Sequence, residues 1–207
     1  MSSVVVFLAD GFEEIEALSP VDYLRRANVE VYTVAVPSET MNDKYIVMGA
    51  HKIPVIADLS IEEFEQNFKS ELPDMVFCPG GMPGATNLAA SAIVTDFIAR
   101  CYENGKYVTA ICASPAVVLA KTGVLKGKCW TCYPGMETGV AEYCGSMDVA
   151  NAALGGSTHK RDVPFVTDGT VITGRGPGAA EQFAMELVRL LCGDAVSAKI
   201  KAASVQR

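Results

Sequence analysis

The chain begins with an uninterrupted apolar strand, and this feature constrains its fold more than any other. The segment SVVVFLAD, residues 3–10, is rich in β-branched residues and lacks polar alternation, as in a strand covered on both faces. GFEEIEALSPVDYLRRAN follows with helical spacing of Ile15, Leu18, Val21 and Leu24, and VEVYTVAV supplies a second strand. Such a β-α-β unit predicts a right-handed crossover and a parallel sheet.

The alternation of strands and helices continues along the chain. A short hairpin is predicted over residues 45–56, and the strands DMVFCPGG and KYVTAIC each precede a helical segment. KCWTCYPGME and FVTDGTVITGRGPG predict later strands, and AAEQFAMELVRLLCG predicts an amphipathic helix before a mildly helical tail. This order predicts one domain over residues 1–207, an α/β three-layer sandwich with a doubly wound, mostly parallel sheet.

Charge, the N-terminus and cysteine usage limit the possible partners. The 17 basic and 24 acidic residues give a net charge of −7, which argues against nucleic acid or an anionic membrane as partner. MSSVVVFLADGFEE has no basic region, and its apolar run is too short for a signal peptide or a membrane span, so we expect a cytoplasmic protein. Seven cysteines, an odd number, fit reduced thiols better than a disulfide framework.

Ligands of doubly wound proteins bind outside the carboxyl ends of the strands, where loops lead into helices. Five loops of this chain meet that description, at residues 10–16, 78–82, 112–114, 132–135 and 174–178. We expect all five to open on one edge of the sheet.

Cys112 lies where the strand KYVTAIC passes into the apolar segment ASPAVVLAKTG. Ala110, Ala113 and Ser114 flank it, and small neighbours are the steric requirement of a tight turn like the nucleophile elbow of hydrolases. A thiol at a helix N-terminus is close to the positive end of the helix dipole, which favours the reactive thiolate. The residues alone leave two interpretations, a nucleophile or a buried structural cysteine.

The first helix opens with three carboxylates, Glu13, Glu14 and Glu16. Carboxylates in a first helical turn ordinarily stabilise the helix dipole, and this role is sufficient for Glu13 and Glu14. Glu16 falls in an otherwise apolar stripe, where burial would raise its pKa and allow it to donate a proton to a thiolate.

Two strands end in glycine-rich turns. In CPGG, Gly80 and Gly81 allow backbone N–H groups to approach a ligand and form an oxyanion-type nest, although glycine pairs also make plain tight turns. GRGPG lacks the spacing of a dinucleotide site and predicts a structural turn with some anion affinity.

The tetrad CWTC, with Cys129 and Cys132, raises the possibility of a redox or zinc site. No second cysteine pair or nearby histidine completes a zinc set, and the segment is strand-like, so we interpret both cysteines as structural and predict no metal. The two histidines, His51 and His159, do not lie at predicted strand ends, and we assign neither a catalytic role.

Five segments identify a family resemblance. VVVFLADGFEEIEALSPVDYLRRA, VFCPGGMPGATNL, VTAICASPAVVLA, TCYPG and TGRGPG, in that order, resemble the ThiJ/PfpI superfamily and are most similar to its deglycase branch. The resemblance runs from Val4 to the C-terminus. It implies a flavodoxin-like sandwich related to class I glutamine amidotransferases, and a homodimer whose interface lies near the active site.

The resemblance also implies roles for individual residues. By position, Cys112 is the oxidisable nucleophile, Glu16 is its hydrogen-bonding partner, and Gly80, Gly81 and Ala113 are backbone donors around the site. In protease-like members a histidine follows the cysteine, whereas here Ala113 does, which disfavours a Cys-His protease.

A second departure from the family pattern concerns the proton relay. Deglycase relatives often carry a histidine before the proline that follows the next strand, whereas this chain has Tyr133 in CYPG. Any proton relay at this site then has to work without that imidazole.

Two functions are consistent with these features. The first is a cofactor-free, cysteine-dependent glyoxalase or deglycase acting on methylglyoxal-type dicarbonyls or on their early protein adducts. The alternative is an oxidative-stress sensor or redox-regulated chaperone that uses oxidation of Cys112.

Overall fold

The computed structural model describes residues 2–37 and 43–206. The strands are β1 (Ser3–Leu8), β2 (Glu30–Ala35), β3 (Ile46–Met48), β4 (Pro54–Ile56), β5 (Leu59–Ser60), β6 (Met75–Cys78), β7 (Tyr107–Ile111), β8 (Cys129–Trp130), β9 (Thr158–His159), β10 (Phe165–Asp168) and β11 (Val171–Gly174). The helices are α1 (Glu14–Arg26), α2 (Ile61–Asn67), α3 (Gly84–Ala90), α4 (Ala92–Glu103), α5 (Ala120–Thr122), α6 (Val140–Tyr143), α7 (Met147–Leu154), α8 (Ala180–Cys192) and α9 (Asp194–Ala203).

A seven-stranded sheet forms the centre of the fold, with strand order β10-β11-β7-β6-β1-β2-β5. Every neighbouring pair is parallel except β10 with β11, which confirms the predicted α/β class and mostly parallel sheet. Within it, β2-β1-β6-β7-β11 has the second-first-third-fourth-fifth order of flavodoxin-like folds. The carboxyl ends of these strands therefore share one edge.

The apolar run of β1 is buried on both faces of the sheet, as its sequence predicts. Val4, Val6 and Leu8 enter one core layer, while Val5 and Phe7 enter the opposite layer, and all five are fully buried. Complete burial of such side chains stabilises the fold by roughly 1.5–3 kcal/mol each. The sequence of this interior strand therefore determines its burial on both faces.

The orientation of α1 differs from the predicted apolar stripe. Ile15 and Leu18 are 55% and 36% exposed, whereas Glu14 and Glu16 are buried. The helix packs on the sheet through other residues, Ala17, Val21 and Leu24 among them, which turns the carboxylates of its first turn inward. Of the four apolar residues at helical spacing, only Val21 and Leu24 are buried, and Ile15 and Leu18 lie on the surface.

Other predicted elements are confirmed with local differences. β3 and β4 form the predicted antiparallel hairpin, and α8 ends at Gly193 before α9 packs its buried Ile200 on the domain. The segment after Cys112 begins with a π-helical turn over Pro115–Leu119 that continues into α5. In the CWTC region, β8 pairs with β9 outside the main sheet. Among the described residues, no helix is long and apolar enough to cross a bilayer.

Candidate active site

Cys112 occupies a strained bend directly after β7. Its φ of 63° lies in the left-handed region, which costs a non-glycine residue on the order of 1 kcal/mol. Two hydrogen bonds hold the bend: the Cys112 N–H donates to the carbonyl of Gly174 (2.9 Å), and the Cys112 carbonyl accepts from the N–H of Tyr133 (2.8 Å). Cys112 as a whole residue is 9% exposed. Hydrogen bonds to Gly174 and Tyr133 therefore hold this thiol at the carboxyl edge of the sheet.

Glu16 reaches the same place from the first turn of α1 and is completely buried. Its Oε2 accepts a hydrogen bond from the N–H of Gly80 (3.0 Å), and its Oε1 has no conventional hydrogen-bond partner among the described residues. Burial raises the pKa of Glu16 to about 7, with a contribution from the charge of Glu13, while the Cys112 thiol and the Gly80 N–H oppose the shift. This carboxyl therefore exchanges its proton near neutral pH.

The thiol of Cys112 is not activated by its helix start in the way that the sequence predicts. Burial raises its pKa, and ionised Glu16 raises it further, while the N–H groups of Gly81 and Ala113 lower it. The sequence-based prediction of a thiolate favoured by the helix dipole did not include burial or the charge of Glu16, which both raise the pKa of the thiol. A protonated Glu16 removes the repelling charge and offers a donor to the sulfur, so the two groups titrate as a coupled pair.

The two glycines of CPGG have separate places in the site. A Cβ at Gly80 would lie 2.5 Å from the Cβ of Cys112 and 2.6 Å from Oε2 of Glu16. Gly81 has a φ of +90°, and a Cβ there would overlap the backbone of residues 11–13. The backbone N–H of Gly80 thus donates to the carboxyl of Glu16, and that of Gly81 donates to the sulfur of Cys112. A plain tight turn would require neither contact.

A further wall of the site comes from the GRGPG loop, which the sequence predicted at the same edge of the sheet but interpreted as a structural turn. A Cβ at Gly176 would lie 3.3 Å from the ring of Tyr133 and 3.9 Å from Oε1 of Glu16. Tyr133 and Gly176 also line an open cleft of about 500 Å³, together with Arg175 and Gln182. The position of GRGPG at a strand's carboxyl end was the available signal.

The other first-turn carboxylates do more than stabilise a helix dipole. Glu14 is buried, and it accepts from the backbone N–H of His51 (2.8 Å) and contacts the His51 ring Nδ1 (2.8 Å). His51 Nδ1 also lies 3.7 Å from Glu13. The hydrogen bond to Glu14 and the charge of Glu13 raise the pKa of His51. When protonated, this histidine offsets the negative charge of Glu13 and Glu14 beside the candidate site.

The second histidine corrects the interpretation of CWTC. His159 Nε2 lies 3.6 Å from the sulfur of Cys132, although the sequence suggested no histidine near this cysteine. The proximity depends on the pairing of β8 with β9, which brings two distant segments together. The structure thus places a histidine beside Cys132 that the sequence did not predict, and the structural role of this cysteine stays a prediction.

The fold and this site define a class of α/β proteins in which a cysteine on a strand-to-helix bend faces a buried carboxyl. The sequence model of the DJ-1/PfpI family matches residues 2–190. The chain belongs to the DJ-1/PfpI family, which confirms the resemblance found in its motifs.

Individual relatives support this assignment. Protein DJ-1 homolog B of Arabidopsis thaliana is 32% identical over 190 residues, which are 92% of this chain and 38% of that protein. This chain thus spans less than half the length of that relative. A deglycase of Pyrococcus abyssi is 27% identical over 188 residues, 91% of this chain and 98% of that protein. The solved structure of oxidized Toxoplasma gondii DJ-1 has a TM-score of 0.81 and 33% identity, covering 99% of this chain and 98% of that one.

Proposed function

We propose that this protein is a cysteine-dependent, cofactor-free glyoxalase or deglycase that acts on methylglyoxal-type dicarbonyls or on their early protein adducts. The observation that carries the proposal is the pairing of Cys112 with a buried carboxyl whose pKa is about 7. Such a pair supplies a nucleophile and a group that gives or takes a proton at neutral pH. The relative named a deglycase supports the same chemistry.

In the first step, the sulfur of Cys112 adds to the aldehyde carbon of the dicarbonyl. The C–S bond forms as the carbonyl π bond breaks, and the thiol proton passes through Glu16 to the new oxygen, giving a hemithioacetal. The N–H groups of Gly81 and Ala113, which act on the sulfur in the free protein, are the candidate donors for the developing oxyanion.

In the second step, ionised Glu16 moves a proton between adjacent carbons. It removes the proton from the former aldehyde carbon and returns it to the neighbouring carbon. The hydroxyl proton passes at the same time from the oxygen of the first carbon to the oxygen of the second, which converts the hemithioacetal into a thioester. Water then hydrolyses the thioester, releasing lactate and restoring the thiol. Methylglyoxal and one water thus give lactate with no external oxidant, and no imidazole takes part in these steps.

Lactate formation from methylglyoxal tests the proposal. We expect Cys112→Ala and Glu16→Gln to abolish or strongly reduce lactate production, while Cys129→Ala, a matched control at a partly buried cysteine, retains it. Unchanged lactate production in both site variants would overturn the proposed mechanism. Glycated peptide as substrate then separates repair of protein adducts from turnover of the free dicarbonyl.

A second candidate function is a redox sensor or redox-regulated chaperone. Its support is the solved structure of the Toxoplasma gondii relative, which is that of an oxidized protein, together with the carboxyl of Glu16 beside the sulfur of Cys112. A sulfinate at Cys112 would accept a hydrogen bond from protonated Glu16. Mass spectrometry after mild peroxide should find Cys112 oxidised before the other six thiols. Uniform oxidation would remove this candidate.

We also propose a cytoplasmic homodimer. Besides the family resemblance, the exposed Ile15 and Leu18 on α1 and the exposed Met82 beside CPGG support an apolar contact near the site. A monomeric mass in solution would contradict the dimer.

A further inference from the structure

A second cluster of reactive side chains plays no part in the proposed reaction. The sulfur of Cys132, a carboxylate oxygen of Glu137 and a ring nitrogen of His159 lie within 4.8 Å of one another. Cys132 packs in the core layer opposite the one that contains Cys112. The three side chains come from the loop after β8, a 3₁₀ turn over Met136–Thr138, and β9. Their proximity is therefore a product of the fold.

We propose that Cys132, Glu137 and His159 form a binding site for a zinc ion, separate from the Cys112 site. Thiolate and imidazole ligands select zinc over magnesium or calcium, which prefer sets made of oxygen alone. Three protein ligands leave one tetrahedral position for water.

The sulfur-to-nitrogen distance matches that of a tetrahedral zinc site. Zn–S bonds of about 2.3 Å and Zn–N bonds of about 2.0–2.1 Å place sulfur and nitrogen about 3.6 Å apart at a tetrahedral angle. The sulfur of Cys132 and Nε2 of His159 are 3.6 Å apart. The same bond lengths require a carboxylate oxygen about 3.3–3.6 Å from the other two ligand atoms. Glu137, whose oxygen lies within 4.8 Å of both, has to move closer to them when the ion binds.

Neighbouring groups already orient these ligands. The Trp130 ring packs on His159 with centroids 4.9 Å apart, and the N–H of Gly135 donates to Oε2 of Glu137 (2.8 Å). Oε1 of Glu137 faces His159 Nδ1 at 3.9 Å and Arg161 at 3.3 Å. Supporting contacts of this kind fix ligand orientation in metal sites. Arg161 is 73% exposed in its side chain and is free to withdraw when a cation enters.

Binding has a defined proton balance. The S–H bond of Cys132 breaks as the metal–sulfur bond forms, and the proton is released to solvent. The thiolate and the carboxylate then balance the two positive charges of the ion.

Cobalt substitution tests the site in the full-length protein. Co²⁺ titrated into the reduced wild-type chain should give one equivalent of binding and a thiolate-to-cobalt charge-transfer band, which Zn²⁺ displaces. Cys132→Ser and His159→Gln should lose the band and bind Zn²⁺ at least tenfold more weakly. Cys129→Ser, the other cysteine of CWTC, and Cys112→Ser should keep it.

Thermal unfolding gives an independent readout that separates lost binding from lost folding. Zn²⁺ should raise the melting temperature of the wild type and of Cys129→Ser, and it should leave that of Cys132→Ser unchanged. A band that is absent from the wild type, or that survives in Cys132→Ser, overturns the proposal. Loss of the band in Cys112→Ser alone would assign the metal to the other site and also overturn it.

Discussion

Cys112 and Cys132 are both buried cysteines beside a glutamate, yet their carboxylates differ in kind. Glu16 is fully buried, its Oε1 has no conventional hydrogen-bond partner among the described residues, and its pKa rises to about 7. Burial acts in the same direction on Glu137, but the backbone N–H groups of Glu137 and Gly135, with His159 and Arg161, hold its pKa below the ordinary value. A carboxyl like Glu16 can take up and release a proton near neutral pH. A carboxyl like Glu137 stays ionised, as the proposed metal site requires. The two sites therefore differ in how many hydrogen-bond donors and positive charges surround the carboxyl.

The backbone differs as well. Cys112 lies on a left-handed bend that lifts its side chain from the sheet, whereas Cys132 follows the two-residue strand β8 and is 2% exposed. Of these two cysteines, the one to which we assign covalent chemistry is thus the one held in a strained conformation. Variants at the two sites test this contrast.

The largest expected effect is on turnover. Cys112→Ala should lower kcat for lactate formation by about 10³-fold or more, because the covalent step is lost. Cys132→Ala, measured in the same assay, should lower kcat less than tenfold. Equal losses in the two variants would show that the thiols act together and would end the distinction between them.

The next effect concerns the pH dependence of catalysis. Since the proton transfer between carbons uses ionised Glu16, wild-type kcat should rise with pH through about 7, the pKa of this group. Glu16→Gln should lose about 10²-fold in kcat and flatten this rise. Glu137→Gln should leave the midpoint of the pH–rate curve unchanged. A midpoint that moves with Glu137 instead would mean that Glu16 is not the carboxyl that transfers the proton.

A smaller effect is expected on stability when Gly80, which packs against Cys112 and Glu16, is replaced. Gly80→Ala places a methyl group 2.5 Å from Cys112 Cβ, so we expect unfolding free energy to fall by roughly 1–3 kcal/mol together with activity. Gly178→Ala is the matched control, since a Cβ there meets nothing within 4 Å. Denaturant unfolding of both variants measures the difference, and equal stabilities would contradict the close packing.

The smallest effect is the pH dependence of stability. The raised pKa of Glu16 means that the folded state holds its proton more tightly, so its stabilising contribution is present below about pH 4.5 and is lost as pH rises through about 7. Glu16→Gln should therefore gain stability relative to wild type between pH 5 and pH 8, on the order of 1–3 kcal/mol.

Glu137 should show the opposite sign. Because its pKa is lowered, its contribution is present above the ordinary carboxyl pKa and is lost at acid pH. In chelator-treated protein, Glu137→Gln should lose stability relative to wild type at pH 8. Chemical denaturation at pH 5 and at pH 8 measures the unfolding free energy of both variants. Stability changes of the same sign in Glu16→Gln and Glu137→Gln would refute the contrast between the two carboxylates.

The sequence by itself determined the alternation of strands and helices, the parallel sheet, and the loops at the carboxyl ends of its strands. These follow from patterns within a few residues: the β-branched run of β1, the small residues around Cys112, and the glycine after α8. The sequence also marked Glu16 as unusual, because a carboxylate in an apolar stripe is a local signal.

Only the tertiary structure decided what these residues meet. Glu16 and Gly80 are 64 residues apart in the chain, and Cys132 and His159 are 27 apart. The outward orientation of Ile15 and the raised pKa of the Cys112 thiol likewise depend on packing against distant segments. Desolvation and charge act through space over a few ångströms, whatever the separation along the chain. The pattern of neighbouring residues therefore determines the helices and strands, and the contacts between these elements determine the pKa values and partners of the site residues.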